Sequence, residues 1–164
     1  MSSDPFLLAG RETISRSLDQ LIDALDGLPQ EGLNWRPRAD DTNSIAVLMT
    51  HALNSTRSWL CVALGVALPR RSRDDEFGVS AAAPGSIRLE AEGLAQECRL
   101  LLEQAKDVDW HTIRQTHPRA NPADPDQVPA AWALIHAVEH LREHLAQVLL
   151  TRQLFLAEKQ SGPI

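Results

Sequence analysis

The sequence lacks several features that mark secreted, membrane or nucleic-acid-binding proteins. It has only two cysteines, Cys61 and Cys98, without CxxC spacing, so buried reduced thiols and a cytoplasmic location are expected. No apolar run reaches the roughly 20 residues that a membrane span needs, and the opening MSSDPFLLAG has no positively charged segment of a signal peptide. We therefore expect no membrane association.

The charge of the chain argues against a nucleic-acid partner. The formal net charge is −6, and no basic stripe is available to neutralise phosphates, so no nucleic-acid partner is expected. The densest basic group, Arg70, Arg71 and Arg73, is followed at once by the acidic run 74–76. Such mixed charge predicts a solvated loop.

Four segments have the apolar periodicity of amphipathic helices. The first runs from residue 5, after Asp4 as N-cap, to about 28, and the second follows Asn43 or Ser44 and extends to about 65. The third covers about 86–108 and the fourth about 129–158. Residues 66–85 form a long crossover without periodicity, and no strand-like alternation is found. The pattern predicts an all-α four-helix bundle, with residues 1–164 as one domain.

The fourth predicted helix contains LIHAVEHLREHLAQ, which places His136, His140 and His144 at four-residue intervals. Positions four apart on a helix differ by about 40° in direction and about 6 Å in rise, so the three histidines share one stripe. Neighbouring histidines of the row can bind one ion together, whereas the outer two, about 12 Å apart along the axis, cannot. The spacing offers a pair, either 136/140 or 140/144, and leaves the third for packing or a supporting hydrogen bond.

Two known helical metal motifs do not fit this row. A zincin needs glutamate directly after the first histidine, where Ala137 and Leu141 stand, and a di-iron bundle needs Glu-x-x-His on two helices. His51, beside the apolar face of the second predicted helix, could join the pair if the second and fourth helices are neighbours. Three neutral imidazoles leave coordination positions open, which is typical of catalytic rather than structural metal sites.

With these segments the chain resembles the DinB-like (damage-inducible-type) four-helix proteins, which include thiol-dependent transferases. The resemblance covers nearly the whole chain and rests on LNWRP, SIAVLMTHALNSTRSWL, RDDEF and WALIHAVEHLREHLAQVLLTRQL. In that family a second-helix histidine and the fourth-helix HxxxH bind a divalent metal, which implies His51, His140 and His144 as ligands. Ala146 stands where the family commonly has glycine.

The resemblance also implies partners. It implies zinc, nickel, iron or manganese as the metal, a small-molecule substrate with bacillithiol or mycothiol as the co-substrate, and a homodimer. The apolar residues Leu149, Leu150, Leu154 and Phe155, spread around the last turns of the fourth helix, favour the same assembly. We find no arginine cluster that is evidently placed to hold a thiol.

Three function classes remain open at this point. The first is a metal-dependent thiol S-transferase or hydrolase, the second a non-catalytic metal-binding or stress-related bundle, and the third a helical dimerisation module without metal. No catalytic residue is identified, although Asn54 and Gln147 could orient a bound water or face solvent. His111 and His117, in a proline-rich segment, are expected to be exposed.

Overall fold

The structure is a computed structural model that describes residues 4–38, 41–117 and 125–161. Its elements are predominantly helical and follow one another along the chain as α1 (Pro5–Asp23), α2 (Gln30–Asn34), α3 (Ile45–Leu64), α4 (Arg73–Phe77), α5 (Pro84–Gln104), β1 (Ile113–Gln115), β2 (Gln127–Pro129) and α6 (Ala130–Ser161). None of the helices in these ranges combines the length and apolar character needed to cross a membrane.

The four long helices form the predicted bundle. α3 packs against α6 and α5, and α1 packs against the same two helices, so each long helix has two neighbours. The contact between α3 and α6 is the most extensive, which confirms that the second and fourth predicted helices are adjacent. The shared core is aliphatic and includes Ile14, Leu18, Met49, Leu60, Ala95, Cys98, Leu141 and Val148. Burial of these side chains is the main stabilising contribution to the fold.

The helix ends follow from local chemistry. Oδ1 of Asp4 accepts hydrogen bonds from the backbone N–H groups of Phe6 and Leu7, at 2.8 and 3.3 Å. Ser44, rather than Asn43, caps α3, because its hydroxyl accepts from the N–H of Val47 at 3.3 Å. α3 ends at Gly65, whose φ of 68° is a left-handed conformation that glycine adopts without strain. The predicted helices therefore begin and end within a few residues of the observed ones.

The connections contain structure that the sequence pattern did not predict. The crossover includes the short helix α4, and β1 pairs with β2 as an antiparallel ladder in which Ile113 faces Pro129. This small ladder is an addition to a bundle that is otherwise all-α, as predicted. Each strand has only three residues, which is too short for an alternating pattern to be recognisable in the sequence.

Candidate metal centre

Three histidines from two adjacent helices converge at the contact between α3 and α6. His51 lies on α3, and His140 and His144 lie one turn apart on α6. Each offers one ring nitrogen, and these nitrogens all lie within 4.8 Å of one another, so the group could hold a metal ion. The Nε2 atoms of His140 and His144 are 3.2 Å apart. The structure thus brings together the three residues that the resemblance implied.

The donor set suits a divalent ion. Two imidazole nitrogens that bind one ion at about 2.1 Å are separated by roughly 3–3.5 Å, and the His140–His144 distance of 3.2 Å falls in this range. Nδ1 of His140 is buried and has no hydrogen-bond partner among the described residues, so Nε2 carries the polar interactions of that ring. An ion at this point would satisfy nitrogens that otherwise face one another.

Burial also keeps the α6 histidines in the neutral form that metal ligation needs. Desolvation lowers the pKa of His140 to about 2. The neighbouring side chains act in the same direction with smaller contributions, namely those of His144, His51, His136 and Arg71. Desolvation likewise lowers the pKa of His144, although the hydrogen bond to Gln147 opposes it. Nδ1 of His144 lies 2.8 Å from Oε1 of Gln147, which fixes the orientation of that ring. Neutral imidazole is therefore the stable form of both rings near neutral pH.

A buried ion pair contacts the His51 ring at its Nδ1 atom. Its Nδ1 lies 2.9 Å from Oε2 of Glu76, and Glu76 in turn lies 2.7 Å from Nε of Arg71. Burial acts to raise the pKa of Glu76, but the hydrogen bonds from His51 and Arg71 outweigh it, and the net effect is a lowered pKa. Glu76 is consequently an ionised carboxylate that accepts hydrogen bonds from Arg71 and lies within hydrogen-bonding distance of His51 Nδ1.

The histidines line an open cavity of about 360 Å³ between α3 and α6. Ser55, Ser58 and Val62 follow His51 along the cavity side of α3. The crossover closes one side, where the ring centroids of Phe77 and His51 are 4.9 Å apart and the guanidinium of Arg73 lies 5.1 Å from the Phe77 centroid. Arg71 and Arg73 both line the cavity, so arginines are present at the site after all.

His136 belongs to the wall of the cavity and not to the histidine cluster. Its ring stacks on Trp132 with centroids 4.7 Å apart and an interplanar angle of 11°, and the Trp59 ring meets it edge-on at 4.6 Å. These contacts support the packing interpretation of His136. Of the two pairs that the spacing left open, 140/144 is the one that His51 joins.

The remaining candidates have different outcomes. Gln147 lines the cavity, but Asn54 does not: it donates to the Thr50 carbonyl at 3.0 Å and borders a separate groove between α3 and α5. His111 is exposed, as expected, whereas His117 is half-buried and lines the cavity. A role for Asn54 in orienting water at the histidines is therefore excluded by its position.

Sequence reasoning missed Arg71 and Glu76. Both belong to the mixed-charge run that predicted a solvated loop. The exposure of Arg70, Asp74 and Asp75 agrees with that prediction, but residues Arg73–Phe77 form α4 rather than a loop, and Arg71 and Glu76 form a buried ion pair. One signal was available: Ser72 can cap a helix that begins at Arg73, and its hydroxyl accepts from the N–H of Asp75 at 3.4 Å. A single helical turn there places Glu76 and Phe77 against α3.

Comparison with known proteins agrees with this architecture. The sequence profile of the DinB superfamily matches residues 13–148. The crystal structure of a conserved protein from Enterococcus faecalis superposes with a TM-score of 0.70 at 16% identity, covering 96% of this chain and 99% of that one. A variant of a mycothiol-dependent maleylpyruvate isomerase superposes with a TM-score of 0.65 at 15% identity, covering 87% of this chain and 60% of that one. No functionally curated protein matches the sequence.

Proposed function

The chain belongs to the DinB superfamily, and from that membership we propose that it is a divalent-metal-dependent enzyme of the thiol S-transferase or hydrolase kind. His51, His140 and His144 are the proposed ligands of zinc, nickel, iron or manganese. The observation that carries the proposal is the convergence of three imidazole nitrogens, within 4.8 Å of one another, on an open cavity. A closed structural site would have a fourth protein ligand and no cavity.

The proposed ion would supply Lewis-acid chemistry, since a divalent ion on three imidazoles lowers the pKa of bound water to about 7 or binds a thiolate. The surrounding residues would bind and orient the substrate. Arg73 adds positive charge at the crossover side, whereas the charge of Arg71 is balanced by Glu76. Trp59 and His136 line the cavity as well. Ser55 and Ser58 also line the cavity, and their hydroxyls can hydrogen-bond a polar substrate.

A low-molecular-weight thiol is the proposed co-substrate. One structural neighbour is a mycothiol-dependent isomerase, and the positive charge of Arg73 on the cavity favours a thiolate. Bacillithiol and mycothiol are the two thiols to test first. A small-molecule substrate fits the cavity volume of about 360 Å³, which lies in the usual range for ligand sites.

The test has two stages. Protein purified without chelators is first measured for metal stoichiometry by mass spectrometry, together with His144→Ala and the matched control His111→Ala, which changes an exposed histidine away from the cluster. We expect one divalent ion in the wild type and the control and none in His144→Ala. The loaded protein is then screened with each thiol against electrophiles, and with hydrolysable esters and amides. Bound metal without any turnover would instead favour a non-catalytic metal-binding bundle.

We further propose a homodimer in the cytoplasm. Ile135, Leu149, Leu150 and Leu154 are exposed on α6, and burial of these apolar side chains against a second copy would stabilise a dimer. Phe155, which the sequence suggested for this surface, packs in the core instead. Cys61 and Cys98 are free buried thiols, which suits a reducing compartment. A monomeric mass by light scattering at micromolar concentration would contradict the dimer.

A further inference from the structure

The crossover places the ion pair of Arg71 and Glu76 next to Nδ1 of His51. Glu76 is 4% exposed, and its carboxylate receives Nε of Arg71 at 2.7 Å and Nη2 of Arg71 at 2.9 Å. The same carboxylate lies 2.9 Å from Nδ1 of His51. Charged side chains are seldom buried without a specific arrangement of partners. His51 completes this arrangement, and it is the one member of the histidine cluster that α3 contributes.

The two neighbours of His51 Nδ1 require opposite tautomers of the ring. The carboxylate of Glu76 can only accept a hydrogen bond, whereas Nη2 of Arg71, at 3.3 Å, can only donate one. The contact with Glu76 is shorter, and Arg71 already donates two short bonds to that carboxylate. A charge-assisted bond to an ionised acceptor is the stronger of the two interactions. The hydrogen therefore resides on Nδ1, which leaves Nε2 with a free lone pair.

Ring packing fixes the orientation that this tautomer needs. The centroid of the His51 ring lies 4.9 Å from that of Phe77, and 5.1 and 4.9 Å from those of His140 and His144. Both Phe77 and Glu76 come from α4. The short helix thus packs against the His51 ring through Phe77 and contacts its Nδ1 through Glu76.

Resting on the metal site proposed above, we propose that Glu76 is a positioning residue that holds His51 as the Nδ1–H tautomer, with Nε2 presented for metal binding. Arg71 holds the carboxylate of Glu76 in place. An acceptor on the second nitrogen of a metal-binding imidazole fixes its orientation and makes the first nitrogen more basic. α4 is therefore part of the metal centre, although none of its residues belongs to the histidine cluster.

The first experiment needs no variant and no metal. In the metal-free wild-type protein, at mildly alkaline pH, ¹⁵N NMR of the histidine rings separates protonated from unprotonated nitrogens. We expect His51 to show a protonated Nδ1 and an unprotonated Nε2, the reverse of the tautomer that a free imidazole side chain favours in water. A His51 ring with its hydrogen on Nε2 would overturn the proposal.

The second experiment measures affinity for Zn²⁺ alone, in competition with a chromophoric chelator. Glu76→Gln keeps the shape of the side chain but removes the charge, and Asp75→Asn makes the same change at an exposed neighbour on the same helix. We expect Glu76→Gln to weaken zinc binding about 10- to 100-fold, as is typical when such a supporting hydrogen bond is lost. Asp75→Asn should leave the dissociation constant within about twofold, because an exposed charge is screened by solvent.

The outcomes separate this inference from the proposed function. Wild-type protein that takes up no divalent metal contradicts the proposed function and, with it, a metal-positioning role for Glu76. Wild-type protein that binds zinc, with Glu76→Gln no weaker than Asp75→Asn, contradicts the role of Glu76 alone. If Glu76→Gln does not fold, the tautomer of the wild-type His51 ring still decides the question.

Discussion

Nε2 of His140 lies 3.2 Å from Nε2 of His144, one helical turn further along α6. Two neutral imidazoles at this distance share one hydrogen or one ion, because two facing lone pairs repel. Protonation of both rings would instead bring positive charges together beside His51 and Arg71, which also contribute to the lowered pKa of His140. Protonation of these rings therefore destabilises the metal-free cluster.

A pH dependence of stability follows from this. The pKa of His140 is lowered from 6.5 to about 2, so below pH 6.5 the unfolded state binds a proton that the folded state does not. The free energy of unfolding of the metal-free protein should therefore decrease as the pH falls below 6.5. The slope contributed by one such group approaches about 1.4 kcal/mol per pH unit.

Urea unfolding of metal-free protein between about pH 6.5 and pH 5 measures this slope, since carboxylates titrate mainly below that window. His140→Gln should show a shallower slope than the wild type. His111→Gln, which changes an exposed histidine, should match the wild type. Identical slopes for His140→Gln and the wild type would show that His140 does not contribute.

The hydrogen bond between Gln147 and His144 leads to a second prediction. Oε1 of Gln147 lies 2.8 Å from Nδ1 of His144, so it supports that ring as Glu76 supports His51. Gln147→Leu should weaken zinc binding by up to about tenfold, at the low end of such losses because Gln147 is exposed to competing water. Gln153→Leu, an equivalent change at an exposed position of α6, should have no effect on the dissociation constant. Equal affinities for the two variants would refute this role of Gln147.

Local patterns predicted the bundle and much of the cluster. The four-residue spacing of His140 and His144 places both rings on one stripe whatever the tertiary structure, because it depends only on helical geometry. The addition of His51 came from the family resemblance and from an assumed contact between two helices. That contact is confirmed, since α3 and α6 are neighbours.

The supporting residues were not predictable by the same means. Glu76 and Arg71 lie in a charged run. The capping residue Ser72 indicates a helical turn there, but the composition of the run does not distinguish a buried pair from a solvated one. Asn54 does not reach the cavity for a geometric reason. Three residues after His51, it lies about 60° around α3, on the side facing α5. Ser55, four residues after His51, differs by about 40° in the other direction and lines the cavity.

Gly65 connects the end of α3 to the crossover and gives a third prediction. Its φ is 68°, and a Cβ atom built on it would lie 2.6 Å from the guanidinium of Arg114. Gly65→Ala should lower the free energy of unfolding by about 1–3 kcal/mol, the usual strain of a left-handed non-glycine residue. Gly93→Ala, inside α5 with open space around it, should raise the same quantity by about 0.5–1 kcal/mol. Chemical denaturation of both variants measures these opposite changes in the free energy of unfolding. An unchanged free energy of unfolding for Gly65→Ala would contradict the strain argument.

The last prediction concerns the three histidines of α6, which look equivalent in the sequence. His140 and His144 belong to the cluster with His51, whereas His136 packs against Trp59 and Trp132. His140→Ala and His144→Ala should each empty the proposed site, because two imidazoles seldom retain a catalytic ion. His136→Ala should keep the metal, and its affinity for the metal should fall by no more than about 10- to 100-fold.

Metal stoichiometry of the three single variants at neutral pH decides between the two possible ligand pairs on α6, 136/140 and 140/144. His136→Ala should in addition lose stability, since its ring is stacked on Trp132 at 4.7 Å, and the thermal midpoint separates this loss from any loss of metal. If His136→Ala lost its metal while His144→Ala kept it, the ligand pair would be His136 and His140. The site would then lie one helical turn closer to Trp59, and Gln147 would have no ligand to support.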